Sequence, residues 1–364
     1  MNSNGLAPRW ASAPGATIEA ALRERGLTVQ DLSGALGLPE ANVASLIAGE
    51  APITVSVAHI LAGTIGGSPE FWLVREAQYL DDLAYVEADR WSGSFPVDQM
   101  VSFGWIQEPA NWHERIDAIF GFFGVETVAG WAGDYATSLD VAHFRRSPAF
   151  EIDTPATTAW FRACERQADE GRAVSSRTSF DAAEFAASLQ IIRSLTRVRD
   201  PRVFLPELAR LCANAGVDLV VVRAPVGCPV SGCSRVYGGR PLIQLSARFL
   251  SDDHFWFTFF HEAAHVLLHG LQVPFVDVLE DEAGDPFEAE ANEFATELLV
   301  AGALDTAQPL RAREVIRLAH SIGVSSGVLV GQLQYRGMLR RDHLNGLKRR
   351  YRWDGASLEM GGTH

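Results

Sequence analysis

Two histidines and a glutamate stand at 261–265 as HEAAH, inside the apolar stretch FWFTFFHEAAHVLLHG. On a helix, His261 and His265 fall on one face, one turn apart. Two neutral imidazoles at that spacing can share a zinc ion. Glu262, beside the first of them, is then placed to take a proton from a water that the ion activates. Such a pair needs a third ligand. Downstream, EAEANEFATELLV (288–300) reads as a second helix, and Glu288 lies 23 residues after His265, which allows a loop and an antiparallel return. Asn292, four residues further on, shares its face and can hold a ligand histidine by a hydrogen bond. Glu290, Glu293 and Glu297 compete with Glu288. Glu290 points about 200° round the helix from it, and the other two share a different face. His269 comes eight residues after His261, not the ten that a three-histidine zinc motif requires, so it reads as a helix C-terminal residue beside Gly270. Hydrolysis at such a centre also needs a donor for the developing oxyanion, and Tyr237, His254 and His269 are candidates.

The elements that must carry these groups can be read from punctuation and period. A strongly apolar helix spans about 253–270, with Phe255, Trp256, Phe259, Phe260, Val266 and Leu267 available to bury it, and a second spans about 286–299. Before them, VDLVVVRAP (217–225) and PLIQLSARF (241–249) read as strands, with Gly/Pro/Ser loops between. Asp200–Pro201 opens a helix that stops at Gly216, and Ser179 precedes a run ending near Val198. The segment 88–200 reads as a helical, aromatic-rich middle region. These elements predict an α+β fold, mostly helical, with a small sheet in the peptidase-like part.

RFLSDDHFWFTFFHEAAHVLLHG followed by EAEANEFATELLV resembles the ImmA/IrrE metallopeptidases over about 204–300. The resemblance implies a zincin-like domain over 201–300, Zn2+ held by His261, His265 and Glu288, and Glu262 as general base. It also implies a protein substrate, a repressor or antitoxin cut to change gene expression. The alanine pair in HEAAH departs mildly from the family, which often has a glycine before the second histidine.

Residues 1–13 read as a tail, and 14–85 as a set of short helices. Thr28 caps the second, with Asp31 as a capping-box variant; Leu32 and Leu36 face inward, and Gly37 turns the chain. Pro39 opens a third helix with Val43, Leu46 and Ile47 inward, which is a helix-turn-helix layout. Over about 14–82 the segment is similar to the XRE/HigA-like helix-turn-helix proteins, which implies operator contact through Asn42 and Ser45. Proteins of this kind often pair to match two half-sites, so a homodimer is an expectation. The charge speaks against tight phosphate contact: four arginines and nine acids from Met1 to Tyr85 leave this part at −5, with Glu40 at the tip of the would-be recognition helix.

The other end is basic. Ten basic residues and two acids between Arg311 and Trp353 give +8. The segment 301–364 is expected to be a helical subdomain packed on the peptidase, and 318–333 has a second helix-turn-helix pattern. Its basic face is expected to pair with the acidic stretch around Glu280–Asp285. A sharper alternative makes Arg340, Arg341, Arg349 and Arg350 a DNA anchor.

The whole chain has 364 residues and a net charge of −14, with 47% hydrophobic residues, which excludes a disordered chain and one that coats nucleic acid. Four cysteines are too few for a disulfide framework; Cys228 and Cys233 read as reduced loop thiols. No apolar run reaches membrane-spanning length and no signal peptide is visible, so a cytoplasmic protein with no membrane partner is expected. Two function classes follow. The first is a DNA-associated zinc endopeptidase that cleaves a regulator. The second is an antitoxin-like or autonomous transcriptional regulator whose zinc-binding domain senses without cleaving. An intact base beside three ligands favours the first.

Overall fold

The computed structural model describes residues 11–136, 153–174, 179–270, 275–277, 286–300 and 311–361. The expected tail lies outside them through residue 10, as does the acidic stretch around Glu280–Asp285. The chain divides into two units, Met1–Gly93 with Asn111–Ile116, and Ser94–Ala110 with Asp117–His364. The fold is mostly helical with a small sheet.

The first unit contains α1 (Gly15–Arg25), α2 (Val29–Leu36), α3 (Glu40–Ala48), α4 (Val55–Ile65) and α5 (Pro69–Ser92). The Thr28 side chain accepts from the Asp31 N–H, and the Asp31 carboxylate accepts from the Thr28 N–H at 2.8 Å, so both orphan donors are satisfied at the start of α2. Ile18, Leu22, Leu32, Val43, Leu46, Leu61 and Trp72 form its core. Leu36 and Ile47 are only partly buried at its edge. Trp72 also donates its indole N–H to the Gly66 carbonyl at 2.9 Å, which satisfies the one polar atom of a buried ring.

In the second unit, α6 (Val97–Ser102), α7 (Trp112–Phe123, whose first residues belong to the first unit), α8 (Val128–Trp131), α9 (Thr154–Val174), α10 (Ala182–Leu195) and α11 (Pro201–Asn214) precede the sheet. Asp181 and Asp200 cap α10 and α11. Strands β1 (Asp218–Val221), β2 (Gly232–Tyr237), β3 (Arg240–Leu245) and β4 (Phe275–Asp277) form a sheet in the order β1-β3-β2-β4. β1 runs parallel to β3, and β2 runs antiparallel to both β3 and β4. The β2–β3 hairpin turns on Gly238 and Gly239, with φ of 54° and 79°. Two left-handed residues in succession match the right-handed twist of the strands and favour glycine at both places.

Two helices complete the site-bearing layer. α12 (Asp252–Leu268) packs against β2 and β3, against α13 (Pro286–Val300), and against α15 (Ser326–Tyr335), which follows α14 (Ala312–Ile322). Because partners surround α12, it is apolar on nearly every side: Phe255, Trp256, Phe259, Phe260, Ala263 and Ala264 are buried. Each aromatic ring contributes roughly 1.5–3 kcal/mol on burial.

The expected strands at 217–225 and 241–249 are present in shorter form. The loop expected between them contains β2, a difference that makes β2 and β3 one hairpin. The C-terminal segment also departs from the helical expectation, since β5 (Tyr351–Asp354) and β6 (Ser357–Met360) form a separate hairpin after α15. Tyr351 and Leu358 enter the main core, so alternate residues of the hairpin face inward, a period that a helix could not supply. Cys164, Cys212, Cys228 and Cys233 are all buried free thiols, and Cys233 lies on β2 rather than in a loop. Burial pushes the Cys212 thiol far up and the Cys228 thiol to about 12, so these thiols are inert at neutral pH.

Candidate metal centre

The one turn that separates His261 from His265 on α12 brings their Nε2 atoms to 3.0 Å from each other. Glu288, on the first turn of α13, places Oε2 at 3.0 Å from His261 Nε2 and Oε1 at 3.3 Å from His265 Nε2. Both histidine side chains are nearly sealed, with exposures of 2% and 1%. One ligand atom from each of the three residues falls within 4.8 Å of the others, the one such trio among the described residues.

The outer ring atoms explain why these nitrogens face inward. The amide oxygen Oδ1 of Asn292 lies 3.1 Å from His261 Nδ1. An oxygen can only accept here, so Nδ1 carries the hydrogen and Nε2 keeps its lone pair. His265 Nδ1 lies 2.8 Å from His269 Nδ1, and His269 Nε2 lies 3.1 Å from a Glu290 carboxylate oxygen. That carboxylate makes His269 Nε2 the protonated nitrogen, so His269 Nδ1 accepts from His265 and His265 Nε2 also presents a lone pair. Two lone pairs and a carboxylate therefore converge on one point. Three acceptors with nothing to donate among them fit a cation. In a tetrahedral zinc site with bonds of 2.0–2.2 Å, ligand atoms lie roughly 3.3–3.5 Å apart, close to the spacing here.

Electrostatics agree with the geometry. Burial pushes His265 down to about 4, outweighing the nearby Glu288 carboxylate, so the ring is neutral as a ligand must be. Burial would raise Glu288, but the facing rings of His261 and His265 prevail and hold the carboxyl well below the usual range. The donor set thus includes a neutral imidazole at His265 and an anionic carboxylate at Glu288 at physiological pH.

Glu262 is fully buried. Its carboxylate lies against Gly232, the first residue of β2. A Cβ built on Gly232 would stand 2.5 Å from Thr258 Cγ2 and 2.6 Å from Glu262 Oε1. The absence of a side chain there leaves the carboxylate its place. The motif does not reveal this contact, because Gly232 lies in another element.

The remaining sequence candidates are placed as follows. Tyr237 ends β2, five residues from Gly232, and donates its phenol hydrogen to Asp169 at 2.9 Å; burial and Asp169 push it up to about 12. His254 lies seven residues before His261, about 10 Å along the helix axis, with its ring stacked on Phe249 at 4.4 Å. His269 is joined to His265, as above. Among the competing glutamates, Glu290 meets His269 and not the trio. Asn42 is exposed and Ser45 half-buried on α3. Arg340 pairs with Asp342 at 2.8 Å on the surface, Arg341 and Arg350 are exposed, and Arg349 is half-buried with its guanidinium on the carbonyls of Thr196, Arg197 and Val198. The structure therefore brings together His261, His265, Glu288 and Asn292, with Glu262 next to His261 on the same helix.

No helix among the described residues is long and apolar enough to cross a membrane. The peptidase family model described as the IrrE N-terminal-like domain matches residues 217–334. The match runs from β1 into α15, takes in both site helices, and continues past residue 300. Peptidases of this family are in general zinc-dependent, and the His-His-Glu group offers a place for such an ion. A comparison with curated proteins returns no match.

Proposed function

We propose that this chain is a DNA-associated zinc endopeptidase that cuts a regulatory protein, a repressor or antitoxin, to change gene expression. The observation that supports it most is the convergence of three acceptors, His261, His265 and Glu288, with Glu262 one residue from the first of them. His261, His265 and Glu288 would hold the ion, and Asn292 would fix the tautomer of His261. Bound zinc supplies Lewis acidity, which lowers the pKa of a water toward about 7 and polarises a peptide carbonyl. Glu262 takes the proton from the attacking water and hands it to the leaving amine. Its burial against Gly232 limits access of competing water to that carboxylate. The proposal that the substrate is a regulator, and that DNA is near, rests on the family match and on the first unit, where α2, the Gly37 turn and α3 present Asn42 to solvent.

Glu262→Gln tests this reading. The variant should bind one zinc per chain, as wild type does, and lose cleavage by roughly 10²–10⁴-fold. Isolated from native cells, it should carry an intact regulatory protein that is fragmented in cells with the wild type. If both forms retain the same DNA and no cleavable protein, the endopeptidase reading gives way to that of a regulator with a sensing domain.

A further inference from the structure

Outside the trio, three hydrogen-bonding atoms line up behind His265. His265 Nδ1 meets His269 Nδ1 at 2.8 Å, and His269 Nε2 meets Glu290 Oε2 at 3.1 Å. The His269 side chain is 2% exposed, whereas Glu290 is 60% exposed. The chain thus runs from the protein surface to the centre. His269 ends α12 and donates its backbone N–H to the His265 carbonyl at 3.2 Å, so backbone and side chain both tie it to the residue one turn earlier. The Phe287 ring stands edge-on to His269 at 4.9 Å, which limits the rotation of the imidazole.

We infer that His269 and Glu290 are positioning residues of the metal centre, Glu290 fixing the tautomer of His269 and His269 fixing that of His265. This rests on the proposed zinc site. A lone imidazole protonates either nitrogen, and the wrong tautomer turns an N–H toward the ion. The carboxylate selects His269 with hydrogen on Nε2. The Nδ1 lone pair of His269 then selects His265 with hydrogen on Nδ1, which leaves Nε2 as the ligand atom. His261 receives the same service from one amide, Asn292. His265 receives it from an imidazole backed by a carboxylate, which makes its ring the more basic ligand of the two. The sequence places the two residues in different helices and gives neither a role in the HExxH pattern.

The test measures zinc affinity of the full-length protein by competition with a chromophoric chelator, together with the visible spectrum of the cobalt-substituted form. His269→Leu, which removes the acceptor and keeps the bulk, should weaken zinc about 10–100-fold and alter the cobalt bands. His269→Asn, whose Oδ1 can occupy the place of Nδ1, should recover most of that loss. Glu290→Gln, on the surface, should weaken zinc by a smaller factor with no change in metal-free stability. A general packing defect would not be rescued by Asn. If His269→Leu binds zinc as wild type does while His265→Ala loses it, the positioning role is overturned and the zinc site stands. If His265→Ala binds as wild type does, the zinc site falls and the positioning role with it.

Discussion

At the scale of single residues, the centre depends as much on an absent side chain as on those present. Gly232 gives Glu262 its place: a methyl group there would fall 2.6 Å from Oε1 and 2.5 Å from Thr258 Cγ2, well inside contact distance. Gly232→Ala should therefore displace the carboxylate without touching His261, His265 or Glu288. The expected outcome is full zinc binding with cleavage reduced 10-fold or more, since proton transfer depends on placement to within about an ångström. Zinc titration beside a turnover assay checks it, and unchanged turnover would show that Glu262 tolerates the shift. The difference between these groups is also a difference in how much the sequence discloses. His261, Glu262 and His265 are legible because one helical turn brings them together locally. Glu288 and Asn292 are legible as a pair with that same spacing on a second helix, while the choice among four glutamates comes from the spacing and the family resemblance. Gly232 is not legible, because its reason is a contact between strand and helix. His269 repeats the four-residue spacing from His265, which is the signal in the sequence for its contact with that ring.

At the scale of elements, α12 begins with two acids in its first turn, a favourable arrangement for the helix dipole, yet one of them is held in an unusual state. Asp252 is buried. It accepts from Ser325 Oγ at 2.9 Å and from the Arg349 N–H at 3.0 Å. Burial pushes its carboxyl up to about 6, with those hydrogen bonds offsetting part of the effect and Asp253 adding to it. Since the folded value exceeds the unfolded value of about 3.9, the protonated form is the one the fold prefers. Its contribution to stability is complete below about pH 4 and is lost as pH rises through about 6. Asp252→Asn should therefore gain on wild type between pH 4 and pH 7, by on the order of 2 kcal/mol. Urea unfolding of the metal-free proteins across that range measures the gap, and parallel stability curves would refute it. The element boundaries were partly legible for the same local reasons: Thr28, Asp200 and Ser325 are side-chain caps that announce a helix start. Strand β2 is not legible, because GCSRVY follows a Gly/Pro-rich stretch and lacks an alternating pattern. The two-glycine turn at Gly238–Gly239 was the available signal for a hairpin. The β5–β6 hairpin is masked by the basic run that leads into it, Lys348 to Arg352, which reads as a charged helix face.

At the scale of the whole molecule, the uneven charge invites a DNA role for the basic end, and the fold distributes those charges unequally. Lys348 is spent on Asp253, with Nζ 2.6 Å from its carboxylate, and on Gln334 at 2.7 Å. Arg349 closes the C-terminal end of α10 by donating to three successive carbonyls at 2.9–3.1 Å, where the helix dipole also favours a cation. Arg352 pairs with Glu359 across the β5–β6 hairpin at 3.0 Å. A charge run in the sequence is therefore, in three dimensions, a set of structural ties plus a few outward arginines. Reversing all of Arg340, Arg341, Arg349 and Arg350 would confuse the two roles, because Arg349→Ala alone should cost about 1–3 kcal/mol by leaving backbone carbonyls without donors. The discriminating variant is Arg341→Glu with Arg350→Glu. It should keep the melting temperature of wild type while lowering DNA affinity, and each lost phosphate contact should reduce the slope of log affinity against log salt by about 0.9. A fluorescence-anisotropy titration at several salt concentrations reads both quantities. An unchanged slope in this folded variant would remove the C-terminal segment from the DNA-binding proposal and leave α3 of the first unit, with Asn42 and Ser45, as the part to test next.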